Sequence, residues 1–225
     1  MGNSDKDALR EYVPGIYRAV GRVQLAGPFT TRGAMHVVRA EDALVLIDPF
    51  RLSSEDLEKL EAIGRPTHVI ICGPTHVRHT AFYRDRYGVR VMTNRKLLSK
   101  IEIGIDAFFE EDEMLPGGLK TIEMSGTFLG ETALLHEADG VLIMGDPIFN
   151  LQDEDLDLPM KLAKPFGQIP MGLSTMPKFV MADKALAAES YRKLLDYPFD
   201  KIFMSHGQPV LSDGKEKLRT LVASL

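Results

Sequence analysis

Apolar positions in this 225-residue chain fall into short runs separated by turn chemistry, with few long helical stripes. Residues 15–25 and 33–40 alternate apolar and polar positions, which predicts two early strands, with Gly27-Pro28 as the turn between them. Ala43–Asp48 is an apolar run that predicts a buried third strand, stopped at Asp48-Pro49. Ser53-Ser54-Glu55-Asp56 then opens a helix, because a Ser followed three residues later by an acid is a capping pattern. Leu57, Leu60 and Ile63 lie on one face of that helix and Gly64 closes it. Thr67–Cys72 reads as a buried strand, residues 76–87 as a helix ending at Gly88, and Val89–Thr93 as the next strand. Alternation of strand, helix and strand predicts parallel neighbours joined by right-handed crossovers.

The second half repeats the theme with different residues. Leu119–Met124, Thr132–His136 and Val141–Met144 predict strands, the last two joined by a tight turn at Asp139-Gly140. Residues 147–177 read as a long irregular loop, rich in Pro and Met, that follows Asp146 directly. Its apolar content argues for a functional role: covering a pocket, selecting substrate or contacting a second copy of the chain. Ala182–Leu195 is an amphipathic helix, Lys201–Ser205 a short strand, and Asp213–Leu225 a closing helix. Two sheets packed together with helices outside, in one α/β domain covering residues 1–225, accommodate this order.

Composition narrows the function. With 44% hydrophobic residues the chain can bury a substantial core, and its net charge of −5 with no basic stripe argues against nucleic acid as partner. No apolar run approaches the ~20 residues of a membrane span. The N-terminus, Met1-Gly2-Asn3-Ser4-Asp5-Lys6, lacks an apolar signal core, and Lys6 breaks the myristoylation pattern. The single cysteine, Cys72, rules out an intrachain disulfide, so the expected location is cytoplasmic and the expected partner a small molecule, with a homodimer left open.

The chemistry concentrates at four strand ends: Leu46-Ile47-Asp48-Pro49, Gly73-Pro74-Thr75-His76-Val77-Arg78-His79, Met144-Gly145-Asp146 and Ser205-His206-Gly207. Each is an apolar run ending in an ionisable residue beside Gly or Pro, the arrangement by which a fold gathers side chains at a sheet rim. Asp, His, Asp and His in these places form a candidate metal constellation. Their order resembles the metallo-β-lactamase fold over residues 15–220. Members of that family show an Asp after an early strand, an H-x-H-x-D-H cluster, a lone His in a P-G-H-T-like turn, a Gly-Asp and a late His-Gly. Gly130-Glu131-Thr132-Ala133-Leu134-Leu135 resembles the strand after the lone-His turn. The resemblance implies a four-layered αββα sandwich with mixed sheets and helices outside.

Departures from the family pattern shape the expected function. The H-x-H-x-D-H cluster is incomplete, and two alignments remain open. In the preferred one, Pro74-Thr75-His76-Val77 matches the cluster's end, so His76 is the last His and Thr75 replaces the Asp. In the other, His76 and His79 are the second and third His and Arg78 replaces the Asp. In the lone-His turn, Ser125-Gly126-Thr127-Phe128, Thr127 stands in place of His, and a hydroxyl is a poor zinc ligand beside imidazole. What the resemblance leaves is His76, Asp146 and His206, a set suited to one zinc or iron ion, with Asp48 and Thr127 behind it. The expected activity is hydrolysis of an ester, thioester, lactone or phosphoester. The alternative is a metal-free, non-catalytic protein binding a small anion or a protein partner, with Arg78 near a helix start supplying the charge. A diiron redox centre is disfavoured because too few ligands survive. His36, His68 and His136 read as packing or surface residues, and the acidic clusters 110–113 and 153–157 as solvated loops with no calcium-loop spacing.

Overall fold

The computed structural model describes residues 8–24, 30–127, 130–166, 169, 171–175, 181–223 and 225. The expected turn at Gly27-Pro28 lies outside them. The chain divides into two compact units, residues 1–21 with 34–121 and residues 22–33 with 122–225.

The first sheet has seven strands in sequential order: β1 (Arg10–Val13), β2 (Ile16–Gln24), β3 (Thr30–Arg39), β4 (Leu44–Ile47), β5 (His68–Ile71), β6 (Arg90–Asn94) and β7 (Ala107–Phe109). β3 and β4 run antiparallel, whereas β4 through β7 run parallel. The parallel part is built by crossovers through α1 (Ser54–Ile63) and α2 (Thr80–Tyr87), as the strand-helix alternation predicts. Ser53 caps α1 by accepting a hydrogen bond from the Asp56 N–H at 3.1 Å. Leu60 of α1 and Tyr83 and Tyr87 of α2 pack with Leu46, Val69, Ile71 and Val91 in one core cluster. Each large side chain so buried contributes about 1.5–3 kcal/mol. The Tyr83 hydroxyl donates to the Phe50 carbonyl at 2.7 Å, and burial pushes its phenol above the ordinary range.

The helix expected over residues 76–87 is shorter than its apolar pattern suggests. Pro74–His76 forms a single 3₁₀ turn, Arg78 takes a positive φ of 24°, and α2 begins only at Thr80. A left-handed residue cannot continue a right-handed helix, so the turn and the helix are separate elements.

The second sheet has six strands: β8 (Met114–Leu115), β9 (Leu119–Met124), β10 (Glu131–His136), β11 (Val141–Leu151), β12 (Gly172–Thr175) and β13 (Lys201–Gly207), with β13 parallel to β11. Ala187, Tyr191 and Leu194 of α4 (Lys184–Leu194) and Leu218 and Val222 of α5 (Gly214–Val222) pack with Leu142, Met144, Ile202 and Met204. Asp183 caps α4, accepting from the Ala185 and Leu186 N–H groups.

The long loop expected over 147–177 is largely regular where the structure describes it. β11 runs on to Leu151, α3 (Leu158–Ala163) follows, and β12 pairs antiparallel with residues 148–151 of β11. Two features let this happen. Pro147 sits where the β11–β13 ladder is irregular, a position a strand tolerates in proline. Asp157 accepts from the Met160 N–H and starts α3, with Pro159 in its first turn, where a missing N–H costs nothing. Asp155 accepts from the Gln152 N–H at 2.8 Å and is buried, so two members of the acidic cluster act as caps. Among the described residues no helix is long and apolar enough to cross a membrane.

Gly207 ends β13 at φ 88°, and a Cβ there would lie 2.0 Å from the Asn150 carbonyl oxygen. Gly207→Ala is therefore expected to destabilise the fold by about 2–4 kcal/mol, read as a lower urea midpoint. A midpoint unchanged from the parent would contradict this packing.

Candidate metal centre

In the first unit, Asp48 leaves β4 with φ 50°, a conformation Asp adopts more readily than most residues. Its N–H donates to the Ile70 carbonyl at 3.0 Å, tying it to the end of β5. Its two carboxylate oxygens then take separate donors: Oδ1 accepts from the Cys72 N–H at 2.8 Å and Oδ2 from His76 Nδ1 at 2.7 Å. A carboxylate here can only accept, so a proton is on Nδ1 of His76, and in the neutral ring Nε2 then has the lone pair. Both side chains are buried, and the 3₁₀ turn holds the imidazole, with the His76 N–H donating to the Gly73 carbonyl at 3.1 Å. His79, at the N-cap of α2, is by contrast largely exposed, and Thr75 is exposed. Partial desolvation first, then the charges of Arg51 and Arg78, lower the His79 pKa. Arg78 is half-buried in the turn between His76 and α2.

Two polar residues of the same unit carried little signal in the sequence. Arg18 on β2 and His36 on β3 are buried within the first sheet. Burial pushes the His36 pKa well below the usual histidine range, and the charges of Arg18 and His76 add to it. Alternation along a strand marks which face a residue occupies, but an arginine on the buried face carries no label.

In the second unit, the parallel ladder between β11 and β13 pairs Met144 with Met204 and then Phe149 with His206. The register therefore shifts, and Asp146 lies within the irregular stretch. His206 Nδ1 lies 3.0 Å from the Arg32 carbonyl oxygen. A carbonyl only accepts, so Nδ1 carries a proton, and in the neutral ring Nε2 then has the lone pair. That Nε2 lies 3.1 Å from Asp146 Oδ1. Two acceptors at this distance repel unless a proton or a metal cation lies between them. The Phe149 ring stacks on His206 at 5.7 Å between centroids and fixes the plane of the imidazole.

Thr127, at the lone-His position, has its hydroxyl oxygen accepting from the Gly130 N–H at 3.0 Å. Phe128 lies outside the described residues. Glu131, four residues on, is fully buried and accepts from the Asp146 N–H at 2.8 Å through Oε2. Its place at the head of an apolar strand, Glu131-Thr132-Ala133-Leu134-Leu135, was the one available signal.

Residues 32–164 match the metallo-β-lactamase superfamily by sequence. The chain belongs to the metallo-β-lactamase superfamily. Solved structures of the same fold include a metallo-β-lactamase from Pontibacter korlensis (17% identity, covering 96% of this chain and 99% of that one, TM-score 0.64). Another is a metallo-β-lactamase from Erythrobacter litoralis with β-mercaptoethanol in its active site (13% identity, 99% of each chain, TM-score 0.67). A third is DIM-1 metallo-β-lactamase exposed to ceftazidime (10% identity, 98% and 99%, TM-score 0.69). No curated protein matches by sequence. The fold is accordingly the four-layered αββα sandwich of the superfamily, in a divergent member.

Asp146 and His206 of the second unit form a pair of candidate metal ligands, and His76 of the first unit presents the same ligand chemistry. The donor chemistry fits. Each imidazole commits Nδ1–H to an oxygen acceptor, Asp48 or the Arg32 carbonyl, and keeps Nε2 as the donor atom toward a metal. A ligating histidine in metalloproteins is held in the same way.

The buried, neutral His36 makes stability depend on pH. Its folded pKa is depressed, so below the ordinary value of about 6.5 the unfolded chain binds a proton that the folded chain refuses. Stability is therefore expected to fall as pH drops below about 6.5, by at most about 1.4 kcal/mol per pH unit, with no contribution above that pH. Urea midpoints between about pH 5 and 7.5 check this. His36→Gln should flatten the slope, and an equal slope in parent and variant would refute the assignment.

Proposed function

We propose that this chain is a metal-dependent hydrolase with a mononuclear centre, one zinc or iron ion held by His76, Asp146 and His206. The observation that carries the reading is the contact between His206 Nε2 and Asp146 Oδ1. With Nδ1–H committed to Arg32, a neutral His206 turns its Nε2 lone pair toward the carboxylate, and a dication satisfies both. Thr75 and Thr127 stand where the family pattern has further ligands, which favours one ion over two. When bound, such an ion supplies Lewis acidity toward water and toward a carbonyl or phosphoryl oxygen.

The chain's own residues account for the rest. Asp48 holds the His76 tautomer and offsets positive charge through the imidazole. Phe149 restricts the His206 ring and presents an apolar surface beside it. The substrate class that suits this centre is a small ester, thioester, lactone or phosphoester. The buried thiol of Cys72, with no second cysteine to pair with, supports a cytoplasmic setting.

A second reading has its own observation. One proton on His206 Nε2 also satisfies the pair with Asp146, giving an imidazolium–carboxylate bridge without an ion. Arg78, half-buried beside His76, would then supply positive charge for a small anion.

Metal content separates the two. Protein purified without chelator and then offered zinc, iron or manganese is expected to retain about one equivalent per chain. His206→Ala should lower this severalfold and abolish hydrolysis of a p-nitrophenyl ester, a thioester, a lactone or bis-p-nitrophenyl phosphate, whichever the parent cleaves. Retention below about a tenth of an equivalent would sink the hydrolase reading. The anion reading instead expects phosphate to raise the melting temperature, and Arg78→Ala to remove that rise.

A further inference from the structure

We propose that Glu131, assisted by Tyr191, is the positioning residue of this centre. It holds the backbone at Asp146 so that the carboxylate already faces His206 before an ion arrives. The inference rests on reading Asp146 as a ligand, and it concerns a residue that the family pattern leaves unassigned.

Two buried side chains reach the irregular stretch of β11 from different elements. From β10, Glu131 Oε2 accepts the Asp146 N–H at 2.8 Å. From α4, the Tyr191 hydroxyl donates to the Pro147 carbonyl at 2.6 Å. These contacts bracket the Asp146-Pro147 dipeptide, whose second residue has φ fixed by its ring. Both clamping side chains are buried, Glu131 at 0% and Tyr191 at 1% exposure. Because the ladder shifts register here, the segment cannot rely on regular strand pairing to set its conformation. A side-chain carboxylate takes over the acceptor role that a neighbouring strand carbonyl would fill. Burying an acid is costly, and an apolar residue at 131 would fill the same core position more cheaply. What the carboxylate adds is an acceptor aimed at one particular N–H. With the backbone set, Asp146 Oδ1 lies 3.1 Å from His206 Nε2, whose own ring is fixed by Arg32 and Phe149. The donor atoms are preorganised, and an ion finds the pair assembled.

The test compares Glu131→Gln, which keeps an acceptor oxygen, with Glu131→Leu, which keeps a similar bulk and removes it. Tyr191→Phe releases the Pro147 carbonyl while retaining the ring. Two quantities are read: zinc affinity by competition with a chromophoric chelator, and amide hydrogen exchange at Asp146 in the zinc-free protein. Glu131→Gln is expected to stay within about threefold of the parent on both. Glu131→Leu should weaken zinc by about 10–100-fold and speed exchange at Asp146, while exchange at Leu142 and Ile202 stays at the parent rate. Tyr191→Phe should weaken zinc about tenfold, and it decides the matter if Glu131→Leu does not fold. Parent-like affinity and exchange in folded Glu131→Leu, or parent-like affinity in Tyr191→Phe when it must decide, would overturn the proposal. So would a loss in Glu131→Gln equal to that in Glu131→Leu. If the parent binds no zinc, the ligand reading fails, and exchange at Asp146 still decides the clamp: faster in Glu131→Leu supports it, unchanged overturns it.

Discussion

Between Met144 and Phe149 strand β11 advances five residues, while its parallel partner β13 advances two, from Met204 to His206. A ladder cannot absorb that difference without expelling backbone from the regular pairing. The expelled stretch is Gly145-Asp146-Pro147-Ile148, and it carries the one carboxylate of the candidate group. The register resumes at Phe149 opposite His206, so the ring that stacks on the imidazole is placed by the same irregularity. Gly207 closes the arrangement, since only a residue without a side chain fits against the Asn150 carbonyl. A straight pairing of the two strands would bury Asp146 in the sheet or turn it to the other face.

The first unit solves an analogous problem with one residue. Asp48 joins three segments through its N–H and two carboxylate oxygens: the end of β5, the Cys72 amide and the His76 ring. Each is a polar group that would be costly to bury unpaired. The imidazole thus arrives with its tautomer determined by its neighbour, as His206 does by way of the Arg32 carbonyl. Charge is absent at one buried polar residue of this unit: burial, with the charge of Arg18, keeps His36 neutral.

Much of the fold was legible in the apolar runs. β4, β5, β9 and β13 lie within a residue or two of where their apolar runs or alternation place them, and Ser53 and Gly64 mark the ends of α1. The elements that were missed lacked that signature. β1, with Arg10, Glu11 and Tyr12, and the two-residue β8 have little apolar content of their own and exist because a partner strand pairs with them. Arg78 is a long, ordinary helix former whose left-handed backbone no local pattern betrays, so the pattern at 76–87 extends beyond the helix that forms. Residues 147–177 read as an irregular Pro-rich loop, yet Pro147 occupies an irregular ladder and Pro159 a first helical turn. At the candidate centre the ligand types were visible in the motif order, whereas the supporting role of Glu131 depends on a contact across strands that no spacing encodes.

Asp157 has a second duty besides starting α3. Its Oδ2 accepts both the N–H and the hydroxyl of Thr30, a residue 127 positions earlier in the chain. The unit made of residues 122–225 thus incorporates a strip, residues 22–33, that leaves the ribosome long before the rest of it. Residues 34–121 intervene and supply most of the other unit. Order of synthesis and order of assembly therefore diverge: the first unit has nearly all its parts as soon as β9 emerges, while Thr30 must wait for Asp157, made 127 residues later. Contacts across such a separation close late and slowly. Until they do, the Thr30 N–H and hydroxyl lack their Asp157 acceptor.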